Sequence, residues 1–318
     1  MIKTALVAMA AVLWLVWVLA LRGFGRQPAL RVGTPREFVM PIAALLIGLW
    51  WWFSRTDWPG SYFLSVYMKA AVVTGTLLTL VWLISLARRD AGIMDVAYSM
   101  AAAVPVLALL FHRGSWSPHE VVTALLVGLW STRMSLHIGL RNAGHGEDAR
   151  YAAWRKRFGR HWWWWSYFQV FAMQGVMVWL WSIGLLAAVA VGPQPLGWQH
   201  ALALVLFAIG FGFQTIGDLQ LEQFKRRRTD RGQVLDTGLW AWSRHPNYFG
   251  ESVVWWSFAA LGLVHPSGWL ALICPLYVTW FMSAGSAAPM QERYLQKTKP
   301  AYADYMRRVP GFFPWARP

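Results

Sequence analysis

Acidic, amide and basic side chains recur at one-turn spacing beyond the middle of this chain. Gln214, Asp218 and Glu222 stand four residues apart, and Lys225 follows one turn later. On a helix these side chains share one face. Such a face can bind the ribose hydroxyls and phosphates of a nucleotide; salt bridges at an ordinary helix end give the same spacing. A second cluster follows in Ser243-Arg244-His245-Pro246-Asn247-Tyr248-Phe249-Gly250-Glu251. It packs a cation, donors and acceptors into a few residues. The planar fork of arginine suits phosphate. Glu251 lies one turn into an apolar segment, where a carboxylate needs a partner or a ligand. A third group, Gln291-Glu292-Arg293-Tyr294, could close a pocket over the second. Asp95 and Tyr98 are three residues apart at the start of another apolar segment, again on one face. A protonated acid beside a phenol can polarise a carbonyl. An Asp in a first helical turn, favoured by the helix dipole, fits the same position.

These groups stand out because nearly everything around them is apolar. Of the 318 residues, 57% are hydrophobic and only 14% charged. Long apolar runs recur from end to end, so the chain is expected to be all-α, a polytopic membrane helical bundle. Nine spans are expected at approximately 4–21, 39–53, 63–87, 93–111, 119–140, 168–192, 199–221, 250–264 and 268–289. The first run, Ala5 to Leu21, has Lys3 before it and arginines rather than a cleavage site after it, and is read as a retained helix. Odd-numbered loops are basic and even-numbered loops nearly uncharged. That alternation predicts an outer N-terminus and a cytoplasmic C-terminus, in a bacterial inner (cytoplasmic) membrane. The net charge of +15 is accounted for by these loops facing anionic lipid, so nucleic acid is not an expected partner. The runs Trp50-Trp51-Trp52 and Trp162-Trp163-Trp164-Trp165 read as aromatic belts at headgroup level.

The single cysteine, Cys274, excludes an intramolecular disulfide and a CxxC metal site, and no metal is expected. There is no HExxH, P-loop or GxSxG motif, and no GxGxxG following a strand. A nucleotide would therefore have to bind between membrane helices and their cytoplasmic loops, where the three large polar segments lie.

Four blocks are recognisable: Ala91-Gly92-Ile93-Met94-Asp95-Val96-Ala97; Arg141-Asn142 with Gly146-Glu147-Asp148-Ala149-Arg150-Tyr151; Gly217-Asp218 with Phe224-Lys225; and Gly238-Leu239-Trp240 running into the Arg244–Glu251 cluster. From about Tyr62 to Pro318 the sequence resembles the bacterial membrane family related to steroid 5-alpha-reductases. The Arg-His-Pro-Asn-Tyr motif is also similar to those of sterol reductases and isoprenylcysteine carboxyl methyltransferases.

The resemblance implies a seven-helix core, residues 59–318, behind a two-helix N-terminal extension, residues 1–58. It implies NADPH as cofactor and hydride transfer to a conjugated C=C bond of a steroid-like or isoprenoid lipid drawn from the bilayer. By motif, Asp218, Lys225, Asn247, Glu251 and Tyr294 would contact the nucleotide, with Gln214, Arg244, His245 and Tyr248 nearby. Asp95 falls near the family's catalytic glutamate, and Tyr98 lies beside it. Trp130 or a neighbour occupies the region of the family's substrate-binding tyrosine, and Met290 stands where the family has a histidine. The alternative is an S-adenosylmethionine-dependent methyltransferase of a lipid or lipidated thiol, which would leave Asp95 and the Gln214/Asp218/Lys225 face idle. A non-enzymatic lipid-binding bundle would leave the whole Arg244–Glu251 cluster idle.

Overall fold

The computed structural model describes residues 62–315, apart from Gly114, Ser115, His145 and Arg231. The two expected N-terminal helices and Trp50-Trp51-Trp52 lie outside the described residues. Among the described residues the chain is all-helical, with no strand.

Helices α1 (Tyr62–Arg88), α2 (Ile93–Arg113) and α3 (Pro118–Asn142) run up, down and up through short turns. Ser117 and Glu120 close a reciprocal capping box at the start of α3, with Pro118 in its first turn. After a loop, α4 (Ala149–Phe158) leads through a 3-10 turn into α5 (Trp162–Ser166), a π turn at Tyr167–Ala172, α6 (Met173–Trp181) and α7 (Ile183–Val191). The long helix α8 (Trp198–Arg227) and α9 (Pro246–Gly262) form the most extensive pair. A 3-10 turn leads into α10 (Ile273–Trp280), a π turn at Phe281–Gly285 and α11 (Ala287–Thr298); α12 (Tyr302–Arg308) closes the described chain.

Five helical stretches are long and apolar enough to cross a membrane, and a sixth is formed by the segment Ala149–Trp181 with α7. Each of the seven spans expected after residue 62 has a helical counterpart. Two differ in kind. The expected 168–192 span begins far earlier, because the helix continues back through Trp162–Trp165 to Ala149. It then bends by 52° at Ser182, whose hydroxyl donates to the Val178 carbonyl at 2.8 Å and competes with the helical ladder. The counterpart of the expected 250–264 span, α9, has only 17 residues, fewer than the roughly 20 of a straight crossing.

The tryptophan run is only partly a belt. Trp162 and Trp164 are buried within the protein. The Trp163 carbonyl accepts from Trp82 of α1 at 3.0 Å, and Phe158 stacks on Trp165. Helix phase turns half of the run inward, against α1 and α4. Cys274 is a buried free thiol.

The glycines of α8 and α9 set how closely the two backbones approach. A Cβ on Gly250 would lie 2.5 Å from the Gln214 nitrogen and 2.6 Å from the Gly210 carbonyl oxygen. A Cβ on Gly210 would lie 2.7 Å from the Val254 nitrogen. Small residues at such crossings allow backbone contact. Here the contact brings Gln214 and Glu251 together.

The end of the bundle away from the basic loops is closed by a buried hydrogen-bond chain. The Gly197 amide meets His200 Nδ1 at 2.9 Å, His200 Nε2 meets His119 Nδ1 at 2.7 Å, and His119 Nε2 meets the Ala188 carbonyl at 2.8 Å. The two backbone ends fix the direction. An amide can only donate and a carbonyl only accept, so each imidazole is neutral with its proton on Nε2. Beside this chain, Arg113 pairs with Glu120 at 3.0 Å and caps the Val189 carbonyl at 2.8 Å.

Candidate functional site

The basic end of the bundle holds three cavities, and the residues singled out in the sequence line them. The first has about 200 Å³ and lies among α2, α3, α8, α9 and the second π turn. Gln214, Asp218, Asn247, Tyr248 and Glu251 face it. Asp218 receives the Asn247 amide at 2.9 Å and pairs with Arg133; His137 lies 3.5 Å away. Arg133 also donates to the Gln214 carbonyl at 3.0 Å, tying α3 to α8. Glu251 is buried and accepts from the indoles of Trp130 at 3.0 Å and Trp255 at 2.9 Å and from the Gln214 amide. A carboxylate in an apolar helix is thus satisfied by three N–H donors.

Local sequence explains these placements. His245 takes a non-helical conformation and Pro246 opens α9, so Asn247 and Glu251 fall one turn apart on the face towards α8. Gly238, at φ +61°, has no room for a Cβ against Gln220. Its turn lets the Leu239 amide reach Gln220 Oε1 at 3.0 Å and the Trp240 indole reach the Gly217 carbonyl at 3.1 Å. The Arg244–Glu251 cluster is thereby pinned to the end of α8.

The second cavity, of about 440 Å³, is mainly apolar and opens between α2, α6 and the second π turn. Met173, Met177, Trp181 and Phe281 line its body; Asp95, Arg150 and Tyr151 stand on its wall. Asp95 Oδ1 accepts from Tyr151 at 2.6 Å, and Oδ2 accepts from Arg150 at 2.9 Å. Both Asp95 oxygens therefore act as acceptors. Tyr98 lines this cavity and the polar one alike. Its hydroxyl is enclosed without a hydrogen bond, and its ring is held edge-on between Trp130 and Trp181.

The third cavity, of about 570 Å³, is a cleft at the basic end. Lys225, Arg228, Lys299 and His245 line it, with Tyr294, itself 66% exposed. Lys225 and Arg228 have no carboxylate within ion-pair distance among the described residues. Burial, reinforced by Arg228, pulls the Lys299 ammonium below its usual value. Burial also pushes the Tyr302 phenol above its ordinary range, with Glu292 adding to the effect.

Arg244 and His245 are turned to a different purpose from Asn247. The Arg244 guanidinium donates to Glu292 at 2.8 Å and to the carbonyls of Met306 at 2.8 Å and Val309 at 3.0 Å. His245 Nε2 lies 3.1 Å from Glu292, and Tyr248 donates to Gln291 at 2.9 Å while stacking on His245. These contacts lash α11 and the C-terminal segment over the loop before α9. Tyr305 donating to the Trp240 carbonyl at 2.6 Å completes the strap.

The structure thus gathers Gln214, Asp218, Asn247, Tyr248 and Glu251 around one cavity with Tyr98. It sets Asp95 on the neighbouring apolar cavity and Lys225, Arg244, His245 and Tyr294 on the basic cleft. Sequence reasoning missed Arg133 and His137, because both sit inside an otherwise apolar span. Their partner Asp218 lies 85 residues from Arg133, beyond any local pattern; the only signal was the cost of a cation in such a helix.

A fit for a nicotinamide nucleotide can be tested on the buried polar atoms left over. Gln214 Oε1, Tyr98 OH and His245 Nδ1 are enclosed and make no hydrogen bond. Such atoms cost free energy unless a partner is supplied. Two of them border the polar cavity and the third borders the cleft, the arrangement a ligand with an amide at one end and phosphates at the other would satisfy.

Among known proteins, the chain is 24% identical over 285 residues to an uncharacterized protein of Schizosaccharomyces pombe, covering 78% of this chain and 81% of that one. It is 30% identical over 134 residues to the Delta(14)-sterol reductase of Mus musculus, covering 37% of this chain and 31% of the mouse protein. Residues 81–309 match one family, and the chain belongs to it: the family described as "Protein of unknown function (DUF1295)".

Proposed function

We propose that this protein is a membrane-embedded NADPH-dependent reductase of a conjugated C=C bond in a steroid-like or isoprenoid lipid. The observation that carries the reading is the meeting of a polar and an apolar cavity at one enclosed tyrosine hydroxyl, Tyr98. The likeness to a sterol reductase supports the same reaction class.

In this reading Gln214, Asn247 and Tyr248 hold the nicotinamide end. The basic cleft, with Lys225, Arg228 and Lys299, takes the phosphates, and Tyr294 lies along it. Arg244 and His245 keep the C-terminal strap closed over the nucleotide. A reduced nicotinamide held there would supply a hydride, and the enone's C=C bond would become a single bond by gaining that hydride at its β carbon and one proton from solvent at its α carbon. Tyr98 donates a hydrogen bond to the carbonyl oxygen as negative charge develops there. Asp95, whose oxygens both accept, acts instead by orienting Tyr151 and Arg150 at the lipid cavity. The aromatic and methionine walls give the lipid an apolar bed beside that hydroxyl.

The test is isotope transfer. Purified protein is given NADPH deuterated at C4 and a steroid-type 4-en-3-one, and the product is read by mass spectrometry. The reading requires one deuterium in a product heavier by two hydrogens. Methyl transfer from S-adenosylmethionine, with no isotope transfer, contradicts it.

A further inference from the structure

The polar and apolar cavities share two lining residues, Tyr98 and Met282. Tyr98 is fixed by the two indoles that grip its ring. Met282 is held differently. It is half-buried and lies in the π turn Phe281–Gly285, at the break between α10 and α11. The Ser286 amide closes that turn on the Phe281 carbonyl at 3.0 Å, five residues back, and Ser286 itself leaves helical geometry at φ −146°. π turns of this kind cluster at functional sites, and a break in the ladder lets the segment shift. The unbranched thioether side chain changes rotamer at small cost.

We propose that Met282 is the movable half of the partition between the nucleotide and lipid cavities, and that its size decides which lipids present their double bond to the nicotinamide. The inference rests on the reductase reading. Hydride transfer needs the reacting carbons about 3–3.5 Å apart, and a side chain standing between the two cavities must swing aside for that approach. A lipid bulky next to its reacting carbon demands more displacement of Met282 than a slender one. Met282 is therefore a specificity-determining residue, distinct from Tyr98, which contacts the carbonyl.

The experiment uses the full chain in mild detergent, with Met282→Ala, Met282→Leu and Met282→Phe. The probes are a steroid-type 4-en-3-one and an acyclic isoprenoid enone, with NADPH affinity measured separately by fluorescence titration. The ratio of kcat/KM for the steroid probe to that for the acyclic probe is expected to rise in the alanine variant and fall in the phenylalanine variant. The spread between these two should be about tenfold or more, with the leucine variant near the unmodified protein and NADPH affinity little changed. A merely structural role would lower activity on both probes together and leave the ratio constant, which overturns the proposal while the reductase reading stands. If the unmodified protein binds no NADPH, the reductase reading falls and the partition role falls with it.

Discussion

Replacing Tyr98 by phenylalanine deletes one enclosed hydroxyl and leaves its aromatic packing against Trp130 and Trp181 intact. If that hydroxyl polarises the substrate carbonyl, kcat for an enone should fall about a hundredfold. NADPH affinity should stay near that of the unmodified protein; equal loss of both would assign Tyr98 to nucleotide binding instead. Arg133 makes a contrasting case. Its pairing with Asp218 is enclosed by α3 and α8, with little side-chain exposure on either partner. Arg133→Met strands the Asp218 carboxylate and should cost about 3 kcal/mol of stability, read as a lowered melting temperature in detergent. The double variant Arg133→Met with Asp218→Leu should recover part of it, since removing both charges removes the stranded one. At this scale the sequence was legible where chemistry is local. Asn247 and Glu251 stand out as polar residues one turn apart at the start of an apolar helix. Glu251's donors Trp130 and Gln214 come from helices distant in the chain, and no spacing rule reaches them.

At the scale of elements, the α8–α9 crossing carries the site. Gly250→Ala would drive a methyl into the backbone at Gln214 and Gly210. The helices must separate, and Gln214 is drawn away from Glu251. Loss of folded protein, or a steep drop in melting temperature, is expected, whereas Gly128→Ala, with open space at its Cβ, should be tolerated. The histidine chain at the opposite end ties α3, α7 and α8 together through Gly197, His200, His119 and Ala188. The double variant His119→Phe, His200→Phe breaks it and leaves the Ala188 carbonyl without its donor, so a lowered melting temperature in detergent is expected. The helical segments behind the seven spans expected beyond residue 62 were legible because hydropathy at this length admits few alternatives. The extension from Ala149 through the tryptophan run was not. Arg155, Lys156, Arg157 and Arg160 end the apolar signal there, yet the helical backbone continues, with Arg155 paired bidentately to Glu147 and Trp162 tucked inward.

Across the whole molecule, the described helix ends segregate by charge. The stretches Arg88–Arg89, Arg141–Arg160, Lys225–Arg244 and Arg293–Arg308 hold most of the described arginines and lysines, and the cavities open towards them. A soluble, phosphorylated cofactor is expected at this end and a lipid in the apolar cavity beside it. If the basic end faces the cytoplasm, a fluorescent protein fused after Pro318 should fluoresce in cells; a dark fusion at normal expression would reverse the orientation.

The most direct measurement is a nucleotide titration of the purified protein, unmodified and as Asn247→Ala. Asn247 bridges Asp218 and the polar cavity, and losing its amide should weaken binding about tenfold. Saturable NADPH binding, weakened by that substitution, is the predicted result. Saturable binding of S-adenosylmethionine with none of NADPH, or NADPH binding indifferent to Asn247, would contradict the account.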